Sequence, residues 1–202
     1  MATAALILYL IGLITAFGIR TLTTWRRTGD TGFRKPNPAP FTAPWWGTVL
    51  FTSALVLGLL APVTGMLELA AVRPPTAIGI AGLATMLLGL ILVLISQAAM
   101  GESWRIGVDE TEHTALVTHG VFALIRNPIF TGMGVVLVGQ LLAVPSLTAA
   151  AALAAFTAAV QIQVRAIEEP YLLRTHGEAY RSYAARTGRF LPLIGRWRPT
   201  DK

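Results

Sequence analysis

The sequence predicts an all-α integral membrane protein with about five transmembrane helices and a cytoplasmic C-terminal helical segment. Three observations carry this reading. The 202-residue chain is 54% hydrophobic and only 13% charged, with a mean hydropathy of +0.62, the composition of a polytopic membrane protein rather than a soluble domain. Five apolar segments approach the roughly 17–25 residues that a bilayer core requires of a helix. The basic residues fall almost wholly into alternate loops between those segments, as they do where charge sets membrane orientation.

Each element follows in order. Ala2–Ile19 is the first span, ended by Arg20; Met1-Ala2-Thr3-Ala4 lacks the positive start of a secretory signal, so this helix is expected to stay in the membrane. A polar, proline-rich connector runs from Thr21 to Pro44. Trp45-Trp46 forms an interfacial belt opening the second span, which reaches about Ala61. Residues 62–75 read as a short loop with some helix. Ala77–Met100 is the third and clearest span, and its Gly79, Gly82 and Gly89 suit close helix contact. Ile129–Val144 and Leu147–Val164, joined by Pro145-Ser146, are the fourth and fifth. Both are short, so a re-entrant hairpin stands as the alternative to two crossings. Pro170 removes a backbone donor and is expected to kink the chain where it leaves the membrane. A cytoplasmic helix then follows to about Gly188. Two regions result: a three-span part, 1–100, with a basic loop at 20–44, and a core, 101–202, with a motif loop, the hairpin 129–164 and the C-terminal segment.

The net charge is +6. The first connector, with Arg20, holds five basic residues, the loop before span four holds Arg105 and Arg126, and the tail holds eight; only Arg73 of the 16 lies elsewhere. This one-sidedness puts the C-terminus on the cytoplasmic face of the cell membrane and the N-terminus outside. The positive charge therefore speaks for topology and contact with anionic membrane lipid, not for nucleic acid. Absent cysteine excludes disulfides, thiolate metal sites and a cysteine nucleophile. His113, His119 and His176 are scattered and expected to be exposed, so no metal site is read.

The chemistry concentrates around an uncharged stretch, Ile129 to Val164. Before it lies Leu116-Val117-Thr118-His119-Gly120-Val121-Phe122 and then Arg126-Asn127-Pro128. After it come Arg165, Glu168-Glu169, Gly177-Glu178-Ala179-Tyr180, Tyr183 and Arg189-Phe190-Leu191-Pro192. A hairpin brings its two ends together, making Arg126 and Glu168/Glu169 neighbours. In the plainer reading these charges pair with one another and snorkel to water. In the functional reading, Asn127 caps the fourth helix with Pro128 in its first turn, and that positive helix end beside Arg126 receives a ligand carboxylate. Glu168 and Glu169 take cationic groups or ribose hydroxyls, while Phe122 and Phe130 cover a flat ring. S-adenosylmethionine carries a carboxylate, an ammonium, a ribose and a purine; other nucleotides share part of that list.

These paired motifs, over roughly residues 100–193, resemble the isoprenylcysteine carboxyl methyltransferase family and the related phospholipid methyltransferases. The resemblance implies a small bundle of membrane helices, an S-adenosylmethionine pocket facing the cytoplasm and closed by the C-terminal segment, and a lipophilic acceptor entering from the bilayer. By position, it implies that Ala115, Leu116 and Val117 line the cofactor pocket with Gly120, Phe122, Asn127, Pro128, Ile129, Phe130 and Glu168. Glu169 is a candidate for the cofactor or the acceptor, and Arg126 and Arg165 are candidates for an anionic acceptor head. The chain departs from the family pattern at three places. Asn127 stands for histidine and removes a titratable group, and Phe130 stands for tyrosine and removes a hydroxyl. Val164 holds the position of the eukaryotic members' substrate-binding arginine, with Arg165 one residue later. In the segment 103–109, Trp104 is an interfacial anchor or part of the substrate mouth, and Arg105 is a contact for lipid phosphate or a substrate carboxylate. Tyr171, Tyr180 and Tyr183 are expected to pack the cytoplasmic helix. The expected function is methyl transfer to a carboxylate or thiol of a membrane-resident, isoprenylcysteine-like acceptor. The alternatives are a phospholipid amine acceptor and a non-enzymatic scaffold or carrier that keeps the fold.

Overall fold

Glycines set the closest helix contact in the molecule. The structure, a computed structural model, describes residues 1–31, 38–69, 72–101 and 115–197; Arg34, Lys35, the 103–109 segment with Trp104 and Arg105, and His113 lie outside them. Helix α3 (Thr76–Met100) and helix α4 (Pro128–Ala143) run antiparallel. A Cβ added at Gly82 would lie 2.5 Å from the Ala143 nitrogen and 2.6 Å from the Gly139 carbonyl oxygen. One added at Gly89 would lie 2.6 Å from the Gly132 carbonyl oxygen. Backbone therefore meets backbone at two levels, which gives van der Waals packing that side chains in lipid cannot match.

A second antiparallel pair is formed by α2 (Ala43–Met66) and α5 (Leu147–Ile162). Gly47 faces Ile162, and the Phe51 ring sits 6.4 Å from Phe130 and 6.0 Å from Phe156. Helix α1 (Ala2–Thr28) lies against both pairs. Buried side chains then tie helices through backbone oxygens: Tyr9 Oη donates to Leu55 O at 3.0 Å, and Gln97 Nε2 to Ala16 O at 2.9 Å. Ala16 lies in a π-helical stretch, Ile14–Ile19, where the usual hydrogen-bond ladder is disturbed and an outside donor compensates.

Three boundaries differ from expectation. The first helix does not stop at Arg20, because the Arg20 guanidinium donates to the Gly101 carbonyl and leaves the helix intact to Thr28. It ends where Gly29 adopts left-handed backbone at φ 72°. The second helix does not stop at Ala61 but passes through Pro62 to Met66. Proline there deprives Gly58 O of its i+4 donor; Gln140 Nε2 supplies one at 2.6 Å. Near Pro170 the change begins earlier, in a π-helical turn at Gln163–Glu168, and α6 (Glu169–Arg186) continues from it. The non-helical backbone falls at Gly177, with φ 50° and ψ −121°.

Among the described residues, four helices are long and apolar enough to cross a membrane: α1, α2, α3 and the 40-residue run Leu147–Arg186. Helix α4, with 16 residues, spans only about 24 Å. Ser146 caps α5, its hydroxyl accepting from Ala149 N at 3.1 Å.

Candidate functional site

At the Pro128 end of α4 the apolar bundle gives way to a polar cap. Arg126 precedes α4 after a 3-10 turn, Gly120–Ala123, and its side chain is only 2% exposed. Nη1 donates to Ala184 O at 2.9 Å and Thr187 O at 2.6 Å; Nη2 donates to Glu169 Oε1 at 2.8 Å and Gly195 O at 3.1 Å. Glu169 accepts a fork from Arg189 as well, Nε to Oε1 at 2.8 Å and Nη2 to Oε2 at 2.9 Å. Two guanidiniums thus enclose one carboxylate through charge-assisted bonds. The hairpin argument placed Arg126 beside the glutamate pair, and it meets Glu169; Arg189, the third member, carried no role in the sequence reading.

The chain from Gly188 to Gly195 forms a strap against this cap. Arg126 N donates to Gly188 O at 2.8 Å, Asn127 N to Arg189 O at 3.1 Å, and Thr131 Oγ1 to Phe190 O at 2.7 Å. At the start of α4, read as a seat for a ligand carboxylate, these carbonyls take the N–H groups of Arg126 and Asn127 and the hydroxyl of Thr131. Asn127 holds the N-cap position, yet its side chain makes no capping bond; Nδ2 donates to Arg189 O at 3.0 Å.

Glu168 differs from its neighbour. It is half-buried, and Gln163 Nε2 donates to its Oε1 at 3.2 Å. Residues five apart sit about 140° apart around an α-helix; the wider π turn brings them onto one side, which lets Gln163 reach Glu168. Glu169, one residue on, points inward.

The other residues read from sequence fall into three groups. Ala115, Leu116 and Val117 belong to no helix or strand, and their backbone makes no hydrogen bond among the described residues. Leu116 packs on the cluster of Tyr180, Tyr183 and Ala184, so the tyrosines do pack α6 against the cap; Tyr183 Oη also donates to Phe122 O at 2.6 Å. Phe122 is buried, while Phe130 packs against the bundle core near Phe51. The two rings are therefore not paired over an open site. Gly120, at φ 59°, starts the 3-10 turn, Pro128 is buried and Ile129 half-buried. Arg165 is exposed, its Nε donating to Gln161 Oε1 at 2.7 Å. His119 is exposed as expected; His176 is half-buried, contrary to expectation. No group of acidic or histidine side chains fit to hold a metal occurs among the described residues.

Sequence reading missed Gln97 and Gln140. Both stand alone as amides within apolar helices, a placement that itself signals a buried partner. A separate apolar cavity of about 50 Å³ lies inside the bundle between Tyr9, Leu90, Met133 and Phe156. None of the residues read as cofactor-binding lines it.

Apolar helices closed at one end by this motif-bearing cap define a multi-pass membrane protein whose candidate site sits at the end of those helices. Over residues 77–179, just over half its length, the chain matches the phospholipid methyltransferase family, and it belongs to that family. Four chains of solved structure match it. One is the eukaryotic intramembrane Ras methyltransferase ICMT (isoprenylcysteine carboxyl methyltransferase), 21% identical with a TM-score of 0.59. That alignment covers 91% of this chain and 63% of the other, so the chain spans a little under two thirds of that protein's length. No curated protein matches.

Proposed function

We propose that the protein is an S-adenosylmethionine-dependent methyltransferase acting on a lipophilic, membrane-resident acceptor at the cytoplasmic face, with a carboxylate or thiol of isoprenylcysteine type as its target. Family membership and the membrane fold support the reaction class. The observation that carries the site is the divergence of the glutamate pair: Glu169 is locked between arginines, while Glu168 stays half-buried with a glutamine on one oxygen. Glu168 and the unpaired backbone of Ala115–Val117 offer the acceptors and donors that ribose, ammonium and purine groups require, so these residues fit the cofactor. When bound, the cofactor supplies a methyl group already activated on a sulfonium. The chain's task is then alignment and exclusion of water, and positioning of this kind contributes on the order of 7–11 kcal/mol. A carboxylate or thiolate acceptor needs no base, whereas an amine sheds a proton. Arg165, exposed within the π turn, is assigned the anionic acceptor head. Arg126 and Glu169 hold the cap and touch no reacting atom in this reading.

The family description favours a second acceptor, a phospholipid amine. Calorimetry on detergent-purified protein tests the cofactor: saturable binding of S-adenosylhomocysteine to wild type, lost in Glu168→Ala, is expected. Unchanged binding to Glu168→Ala removes that residue from the site, and no binding to folded wild type moves the reading to a scaffold or carrier. Product masses after incubation with prenylcysteine analogues and with phospholipid vesicles separate the two acceptors.

A further inference from the structure

The strap ends in a tip that the cap does not need. Between Arg189 and Gly195 the chain closes a tight turn: Arg189 N donates to Ile194 O at 2.8 Å, and Ile194 N to Leu191 O at 3.2 Å. Gly188 lies so close beneath that an added Cβ would stand 1.9 Å from Leu191 O. Leu193 takes left-handed backbone at φ 68°, costly for a side chain larger than glycine's. This built turn turns its apolar side chains outward: Leu191 is 52% exposed, Leu193 69% and Ile194 62%. Apolar groups held together in water at the apex of a closed turn ordinarily mark a contact surface.

The tip's surroundings say what it contacts. Phe190, the residue before it, packs against the core of the helix bundle, and its carbonyl accepts from Thr131 in the first turn of α4. The tip therefore stands beside the start of α4, at the end of the apolar bundle. Arg186 and Arg196 flank it in sequence, and both are exposed. Apolar side chains with arginines beside them match the boundary between acyl chains and anionic headgroups.

We propose that Leu191, Leu193 and Ile194 insert into the interfacial zone of the leaflet at the Pro128 end of α4, anchoring the strap to anionic lipid. The cap is then held from two sides, by the Arg126–Glu169–Arg189 cluster within and by the membrane without. This assignment rests on the fold and is independent of the methyl-transfer reading.

The chain has no cysteine, so single cysteines can carry a nitroxide label in the full-length protein without background. Leu193→Cys is labelled in phosphatidylcholine vesicles with and without phosphatidylglycerol. Glu178→Cys, on exposed α6, is the water reference, and Leu88→Cys, exposed in the middle of α3, is the lipid reference. The readout is collision with oxygen, which partitions into lipid, relative to collision with a water-soluble nickel chelate. The expected oxygen-to-nickel ratio at 193 is several-fold above that at 178 and below that at 88, and rises when phosphatidylglycerol is included. A ratio equal to that at 178 places the tip in water and overturns the proposal. Shielding from both reagents places protein on the tip, either segment 102–114 or a second copy, and overturns it equally.

Discussion

The apolar bundle and the polar cap solve the same problem with opposite means. In the bundle, helices meet through glycines and through neutral side chains that donate to carbonyl oxygens, as Gln140 does to Gly58 and Gln97 to Ala16. In the cap, one carboxylate and two guanidiniums are drawn together out of water, and the carbonyls of Ala184, Thr187 and Gly195 accept from the Nη atoms of Arg126 while its buried Nε has no partner among the described residues. Each bundle contact is small and tolerant of loss, whereas the cap stands as a unit because no member is satisfied alone. Charge in the cap therefore goes first into holding the strap, and Glu168 lies outside that cluster.

The contrast is sharpest at Glu169. Its replacement by alanine leaves Arg126 and Arg189 facing each other without a counter-charge, a loss of about 3–5 kcal/mol. Thermal unfolding in detergent should show this as the largest drop of any single substitution considered. Next comes Gly89→Leu, which drives a side chain into the Gly132 backbone. Overpacking of this kind costs about 1–3 kcal/mol, read in the same assay, and disulfide trapping between a pair of cysteines introduced on facing turns of α3 and α4 should slow as the helices part.

Gln140→Leu strips Gly58 O of its donor at about 0.5–2 kcal/mol. A double-mutant cycle makes that claim specific. Pro62→Ala restores a backbone N–H for Gly58 O, so Gln140→Leu in that background should be neutral or stabilising; equal costs in both backgrounds would break the link between the proline and the amide. The smallest effect belongs to Glu168→Ala, expected within about 0.5 kcal/mol of wild type in unfolding. A large loss of stability there would erase the distinction between the two glutamates.

Much of this architecture was legible in the residues, and the misses have physical causes. Apolar length located the helices, though among the described residues four rather than five are long enough to cross a membrane, and the glycines of the third were read as contacts, as Gly82 and Gly89 prove. Helix ends were misplaced where a polar or proline residue was taken as a stop, at Arg20 and Pro62, because in each case a distant group supplies the missing partner. The two π-helical stretches leave no mark in hydropathy, yet the second sets the register in which Glu168 and Glu169 diverge. In the site, proximity of Arg126 to the glutamates followed from topology, but its orientation did not. Whether a guanidinium faces a ligand or a neighbouring turn depends on the path of residues 184–197, which no spacing rule encodes.

The separation of the cluster along the chain has a consequence for biosynthesis. Glu169 lies 43 residues beyond Arg126, and the Gly195 carbonyl 69 residues beyond it. At typical translation rates Arg126 waits on the order of seconds for these partners, with α4 beginning two residues after it. Throughout that interval its guanidinium lacks the partners it has in the folded protein. Closure of the cap thus requires that α5, α6 and the strap have all been made, and a chain interrupted before Glu169 leaves Arg126 without its counter-charge.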